Sequence, residues 1–249
     1  MNHEETKAVR FEQISKSFDA APLLESVSLE IARGEAFCIL GRSGTGKTVL
    51  LKLMVGMLKP DRGKIFINQE EITALDRAGL LRVRKAVGFL FQNAALFDSI
   101  SVAENLALPL RHHRGKTENQ IEDIVRRKLA EADLEKYRNK FPADLSAGLR
   151  KRVGLARALV LDPAILMIDD PSCGIDSIAA CEMNRLLLDL KQNRKITLVF
   201  VSDRMGGVRR IPDRFAVLDA AHVIFCGSAD ELERSDNRLV RQFASHEDL

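Results

Sequence analysis

The stretch that most constrains this chain is Gly41-Arg42-Ser43-Gly44-Thr45-Gly46-Lys47-Thr48. It follows the apolar run Ala36 to Leu40 and precedes Val49, Leu50, Leu53, Met54 and Met57, apolar residues at helical spacing. The run satisfies G-x-x-x-x-G-K-[ST] in the context where that pattern has a mechanism, a strand entering a turn that opens a helix. Glycines there let backbone N–H groups close around phosphate oxygens, and the helix N-terminus adds partial positive charge. Lys47 is expected at the β and γ phosphates and the Thr48 hydroxyl on Mg²⁺. Gly41, Arg42, Ser43, Gly44, Thr45, Gly46 and Val49 are expected to complete the cradle.

A turn of this kind belongs to an α/β fold, and the remaining pattern agrees. Alternating or β-rich runs predict strands at Ala8 to Ile14, Val27 to Ile31, Lys64 to Ile67 and Val87 to Phe91. Helical spacing predicts helices over Gly46 to Met57 and Leu75 to Lys85. Val102 to Leu134 reads as mostly helical, with breaks at Pro109 and around His112 to Gly115. A helix from Leu149 to Leu161 follows. Strands at Ile165 to Ile168 and Thr197 to Val201 then flank a helix at Ile178 to Gln192, the βαβ alternation of a parallel sheet. Phe215 to Leu218 and Val223 to Cys226 read as strands, and Asp230 to Leu249 as a charged helical tail. The whole is expected to form a single domain over 1–249, with a helical insert at about 93–160 and a tail at about 233–249. Ile165-Leu166-Met167-Ile168-Asp169, an apolar strand ending in a carboxylate, is the Walker B arrangement that sets an acid beside Mg²⁺.

Composition narrows the classes. A single Tyr and no Trp argue against a platform for stacked bases, and a formal charge of +3 is too small for a nucleic-acid footprint, so no nucleic-acid partner is expected. Cys38, Cys173, Cys181 and Cys226 lack metal-ligand spacing and read as small buried apolar residues in a reducing compartment. The first residues lack the apolar core of a secretory leader, and no apolar run approaches the ~20 residues needed to span a bilayer. The expected location is therefore cytoplasmic, with any membrane role exercised through a partner. Arg150, Lys151, Arg152 and Arg157 read as a solvated helix face, with phosphate contact as the alternative. His112 and His113 read as surface residues.

Between the two phosphate motifs lies Leu145-Ser146-Ala147-Gly148-Leu149-Arg150-Lys151-Arg152-Val153-Gly154-Leu155-Ala156-Arg157-Ala158-Leu159. It resembles the LSGGQ-type signature and following helix of ABC ATPases, and the likeness extends over the chain to about Leu232. Gln92 resembles the family's Q-loop glutamine, which implies a role at the metal and in catalysis. Ser172-Cys173-Gly174-Ile175-Asp176 resembles its D-loop. Phe18 is placed like the aromatic that stacks on adenine, with a core aromatic as the alternative. The resemblance implies an ABC ATPase fold: a mostly parallel sheet with flanking helices, N-terminal antiparallel strands and a helical signature subdomain. It implies ATP and Mg²⁺ as cofactors, Thr48, Gln92 and Asp169 at the metal, and a head-to-tail homodimer. In that dimer Ser146, Ala147 and Gly148 serve the partner's ATP. A helix terminus at Ser146 suits a γ-phosphate presented across an interface.

Two positions depart from the family pattern. Asp170 stands where relatives carry the Glu that polarises the attacking water, so the acid is kept with a shorter reach. Asp203 stands where relatives carry a His that contacts the γ-phosphate. An ionised carboxylate cannot donate to phosphate and is repelled by it and by Asp170. Three readings follow: slow turnover, a site rebuilt around Arg204 or a protonated Asp203, or a subunit that binds ATP without hydrolysing it. Retention of Lys47, Thr48, Gln92, Asp169 and Ser146 favours slow hydrolysis. A nontransport ABC ATPase is a further alternative.

Leu90 to Ser99, continuing to Glu104 and Asn105, resembles the Q-loop neighbourhood of Mla-type ATPases, as does Asp236 to Phe243 their tail. That resemblance implies an MlaE-like permease, an MCE-type lipid-binding protein, phospholipid cargo and a peripheral position on the cytosolic face of the inner membrane. Phe91, Leu96, Phe97, Leu106 and Leu108 are a candidate groove for a permease helix, with core packing as the alternative.

Overall fold

The computed structural model describes residues 7–19, 21–113, 115–205 and 208–244. Two long antiparallel strands, β1 (Lys7–Phe18) and β2 (Ala21–Ala32), are followed by β3 (Ala36–Leu40) and the helix α1 (Lys47–Met54). Next come β4 (Arg62–Ile67), β5 (Glu70–Glu71), α2 (Arg77–Arg84) and β6 (Val87–Leu90). Three helices follow: α3 (Val102–His112), α4 (Glu118–Glu131) and α5 (Ala147–Ala158). The chain closes with β7 (Ile165–Asp169), α6 (Ser177–Arg194), β8 (Thr197–Ser202), β9 (Arg214–Asp219), β10 (His222–Gly227), α7 (Ala229–Glu233) and α8 (Arg238–Ala244).

The strands form two sheets. An antiparallel sheet runs β2-β1-β4-β5, and a second runs β10-β9-β3-β8-β7-β6, parallel throughout except for the β9–β10 edge pair. Every residue of β3, β7 and β8 is buried. Layers on both faces of the sheet require continuous apolar strands, which is why Ala36 to Leu40 and Ile165 to Ile168 carry no polar alternation. Successive side chains still point to opposite faces. Phe37, Ile39, Ile165, Met167, Val199 and Val201 pack toward the antiparallel sheet and α1, whereas Cys38, Leu40, Leu166, Ile168, Leu198 and Phe200 pack toward α6 and the last helices. A third apolar cluster joins α3, α4 and α5 through Val102, Leu106, Leu110, Ile121, Val125, Leu129 and Val153.

Several expectations are corrected here. Pro109 does not break its helix, which runs on to His112. A proline so near a C-terminus deletes a single helical bond, and the buried Leu106 and Leu110 on either side outweigh that loss. The signature helix begins at Ala147, earlier than Leu149, because Ser146 caps it by accepting from Leu149 N at 3.3 Å. The tail divides into α7 and α8 around Ser235 to Asn237 rather than forming one helix, and its residues 245–249 lie outside the described residues. Residues 1–6 of the expected leaderless start also lie outside them. Val240 and Phe243 of α8 are buried in the core, which accounts for apolar residues in that tail without a partner. Cys181 and Cys226 are exposed and Cys173 is half-buried, so the expectation of buried cysteines holds for Cys38 alone. His112 is exposed while His113 is half-buried, and burial lowers the pKa of His113. No helix among the described residues is long and apolar enough to cross a membrane.

Because β3, β6, β7 and β8 run parallel, their C-terminal ends lie at one edge. The glycine-rich turn leaves β3, Gln92 follows β6, Asp169 ends β7 and Asp203 follows β8. Ligand sites in α/β sheets form at this edge.

Candidate functional site

The turn after β3 closes on itself. Gly46 caps α1 with φ of 101°, a left-handed conformation that a glycine adopts without steric cost, and its carbonyl accepts from Leu50 N at 2.9 Å. Lys47 Nζ donates to the carbonyls of Gly41 at 2.6 Å and Arg42 at 2.9 Å, arching over the loop. Thr45 Oγ1 also donates to the Arg42 carbonyl, at 2.9 Å. Partial burial lowers the Lys47 pKa, opposed by the nearby Asp203, Asp170 and Asp169.

A cleft opens beside this loop. Ser43, Gly44, Gly46, Lys47, Thr48 and Val49 form one wall, and Gln92, Asp169, Asp170 and Asp203 the other. Leu23 and Val201 also line it. Neither was foreseen, since an apolar residue at a hairpin or strand end carries no distinguishing signal. Gly41, Arg42 and Thr45 do not line the cleft, and take part in the loop's internal bonds instead. Thr48 Oγ1 donates to Asp169 Oδ1 at 2.9 Å, so a hydroxyl and a carboxylate from distant elements converge on one point. Among the described residues no cluster of three His, Cys, Asp or Glu could hold a metal alone. The Thr48 hydroxyl and the Asp169 carboxylate are oxygen ligands of the kind Mg²⁺ takes, one or two from the protein with phosphate and water completing its shell.

The two unusual acids share this cleft. Asp170 is left-handed, with φ of 49°, a conformation that Asp tolerates better than most side chains. Its Oδ1 accepts from Ser172 N at 3.3 Å, Ser172 Oγ at 3.3 Å and Cys173 N at 3.1 Å, capping the turn that follows. Burial raises the Asp170 pKa, and the Asp203 charge raises it further, against a lowering pull from Lys151 and those N–H groups. Asp203 is half exposed, and its Oδ1 lies 4.0 Å from Arg204 Nε. Ion pairs so exposed contribute little.

Ser146, Ala147 and Gly148 do not line the cleft. Ser146 is exposed at the N-terminus of α5. Gly148 is needed within the chain, since a Cβ there would come 2.6 Å from the Ala179 Cβ. Behind this end Lys151 is buried, and Arg157 donates to the carbonyls of Ala94 at 2.7 Å and Ala95 at 2.8 Å. Arg152 donates to the Ala132 carbonyl at 2.7 Å. The solvated-face expectation therefore holds for Arg150 only, because backbone oxygens of neighbouring loops claim the other cations. Gln92 Nε2 donates to Cys173 Sγ at 3.1 Å. Phe18 stands at the end of β1, 46% exposed, so it is not a core aromatic, and it does not line the cleft.

A phosphate-binding loop on β3, a carboxylate closing β7 and a capped helix N-terminus on a helical cluster define a P-loop ATPase of cassette type. The ABC transporter family model matches residues 24–173, and the chain belongs to that family, whose cassettes hydrolyse ATP. A relative from Mycobacterium leprae named for ribonucleotide transport, as its ATP-binding protein, is 39% identical over 95% of this chain. The chain spans 68% of that relative's length and 64% of its counterpart from Mycobacterium tuberculosis. A chloroplastic protein of Arabidopsis thaliana named trigalactosyldiacylglycerol 3 is 34% identical over 93% of this chain and 72% of its own length. A solved dimeric ATP-binding cassette, in a post-hydrolysis state with ADP and Pi, superposes with a TM-score of 0.81 at 28% identity, covering 88% of this chain and 98% of its own.

Proposed function

We propose that this chain is the energy-supplying subunit of a lipid transporter, working as a head-to-tail homodimer on the cytosolic face of an inner membrane beneath an MlaE-like permease and an MCE-type protein. The observation that carries the nucleotide part of this reading is the separation of two phosphate-binding ends. One faces the cleft at Lys47, and the other, at Ser146, is exposed, lies outside that cleft and makes a single capping bond, from Leu149 N. A second copy brings them together. The dimeric cassette described above supports that assembly.

In this reading the backbone N–H groups from Gly44 to Thr48 and the Lys47 ammonium hold the β and γ phosphates. Thr48, Asp169 and Gln92 would hold Mg²⁺, which would supply neutralisation of phosphate charge. Phe18 carries adenine. Ser146 and the N–H groups at Ala147 and Gly148 close on the γ-phosphate of the partner's nucleotide. Asp170 orients the attacking water and accepts its proton. With its carboxylate committed to capping the 170–173 turn and Asp203 adding negative charge, turnover is slow but real. A general base is typically worth about 100 to 10,000-fold, of which this site keeps a part.

The helical cluster at about 93–160 is the part that meets the permease, within a single domain whose tail is 233–249. Phe97, Leu108 and Phe141 are exposed there, at 52%, 38% and 46%. Leu106 belongs to the core, and Phe91 and Leu96 are half-buried, so the candidate groove shrinks to Phe97 and Leu108 of the residues first considered. Phospholipid as cargo is supported by the Mla-type stretches and by the lipid in the plant relative's name. Ribonucleotide, from the mycobacterial relative's name, is the rival. The test is reconstitution with an MlaE-like permease in vesicles containing labelled phospholipid. ATP-dependent lipid movement is expected, and its absence, with movement of a labelled ribonucleotide instead, refutes the lipid reading.

A further inference from the structure

The helix α5 does more than present Ser146. Little more than one turn in, roughly 7 Å along its axis, Lys151 is buried to 2% exposure. Its Nζ donates to the carbonyls of Asp170 at 2.6 Å and Cys173 at 2.8 Å. A buried ammonium needs every partner it can find, and these oxygens stand at both ends of the turn that the Asp170 carboxylate caps. Lys151 thereby ties that turn, with its left-handed Asp170, to the signature helix.

Two other contacts fasten the same unit. The missing Cβ at Gly148 lets α5 press on Ala179 at the start of α6, just beyond the D-loop. Arg157, farther along α5, holds the carbonyls of Ala94 and Ala95, both left-handed, and Gln92 reaches across to Cys173. A displacement of α5 therefore carries the loops of Gln92 and Asp170 with it.

We propose that Lys151 is a positioning residue that couples the two nucleotide sites of the dimer, transmitting engagement of Ser146 by the partner's nucleotide to Asp170 in its own subunit. The inference rests on the reading above, in which Ser146 serves one nucleotide and Asp170 the other. Each chain then senses one γ-phosphate and acts on a second, through a lever little longer than a helical turn. A lysine that only satisfied carbonyls would affect stability and leave cooperativity alone.

The test compares the full chain with Lys151→Met and Lys151→Arg, measuring hydrolysis against ATP concentration alongside equilibrium ATP binding. Lys151→Met is expected to lower kcat by on the order of 100-fold, the scale of a 1 Å misplacement. The Kd for ATP should stay within about threefold, while the Hill coefficient falls from above one to about one. Lys151→Arg, whose guanidinium can serve both carbonyls, should recover most of the rate and cooperativity. A Lys151→Met chain that keeps the parent's Hill coefficient, or a parent without cooperativity, overturns the proposal. If Lys151→Met does not fold, the same comparison is read on Lys151→Gln, which keeps an amide donor. Failure of the underlying reading is separate: Ser146→Ala or Asp170→Asn at the parent's kcat would refute the composite site whatever Lys151 does.

Discussion

The two ends proposed to meet a nucleotide are built to different degrees of completion. At the loop after β3, Lys47 is bonded to the carbonyls of Gly41 and Arg42, Thr45 to that of Arg42, and Thr48 to Asp169, so the ammonium and both threonine hydroxyls already have partners in their own chain. At the start of α5, Ser146 accepts one bond, from Leu149, and faces outward. One end is a finished cradle that a phosphate enters by displacing internal bonds. The other, in the proposed function, is half of a site that a second copy completes. An assembled dimer therefore should respond to damage at the two ends in distinguishable ways.

The largest effect is expected at the finished end. Lys47→Ala should cut turnover by at least about 100-fold and weaken ATP binding together, because it removes a preorganised charge from the phosphates. Calorimetric binding and phosphate release check this, and full activity would mean that the cleft is elsewhere. Ser146→Ala should instead separate the two quantities. ATP affinity of dilute protein should hold while kcat falls on the order of 10 to 100-fold, and the lost cap should cost about 1 kcal/mol of stability. A matching loss of affinity would erase the contrast.

Next in size is the double variant Asp170→Glu with Asp203→His, expected to raise hydrolysis by on the order of 10-fold. Asp203→His should supply most of the gain, since Glu suits the left-handed backbone at 170 less well and forfeits the turn it caps. A rate at or below the parent's would count against Asp203 as the brake.

The smallest effect concerns stability. Asp170 holds its proton more tightly folded than unfolded, so its contribution is fully present below the ordinary carboxylate range and is lost as pH rises through its raised folded pKa. In the nucleotide-free chain, Asp170→Asn should therefore raise Tm relative to the parent more at pH near 7.5 than near 4, by about a few degrees. A difference that shrinks with rising pH would reverse the assignment.

These contrasts follow how the site is written in the chain. The phosphate loop is contiguous, and its strand, turn and helix are each legible from spacing, so its geometry could be foreseen in detail. The signature helix could be foreseen only approximately, because the spacing of apolar residues begins at Leu149 while Ser146 caps a helix that starts at Ala147. The burial of Lys151 and the backbone contacts of Arg157 were not legible at all. Their acceptors lie in loops far away in sequence, and a cation on a helix looks the same whether it meets water or a distant carbonyl. Pro109 misled for a related reason: a local rule predicted a break where burial on both sides kept the helix whole.

Phe18 carries a last consequence. The two residues before it are clamped by Asp61, whose Oδ1 accepts from Lys16 Nζ at 2.6 Å and whose Oδ2 accepts from Ser17 N at 2.7 Å, while Phe18 itself is 46% exposed with Lys16 Nζ 5.4 Å from its ring centre. A purine laid on that ring meets a flat hydrocarbon surface with no donor or acceptor of its own to inspect the edge. If a base stacks there as proposed, the ring itself gives no preference between adenine and guanine, and Phe18→Leu should weaken binding of ATP and GTP alike.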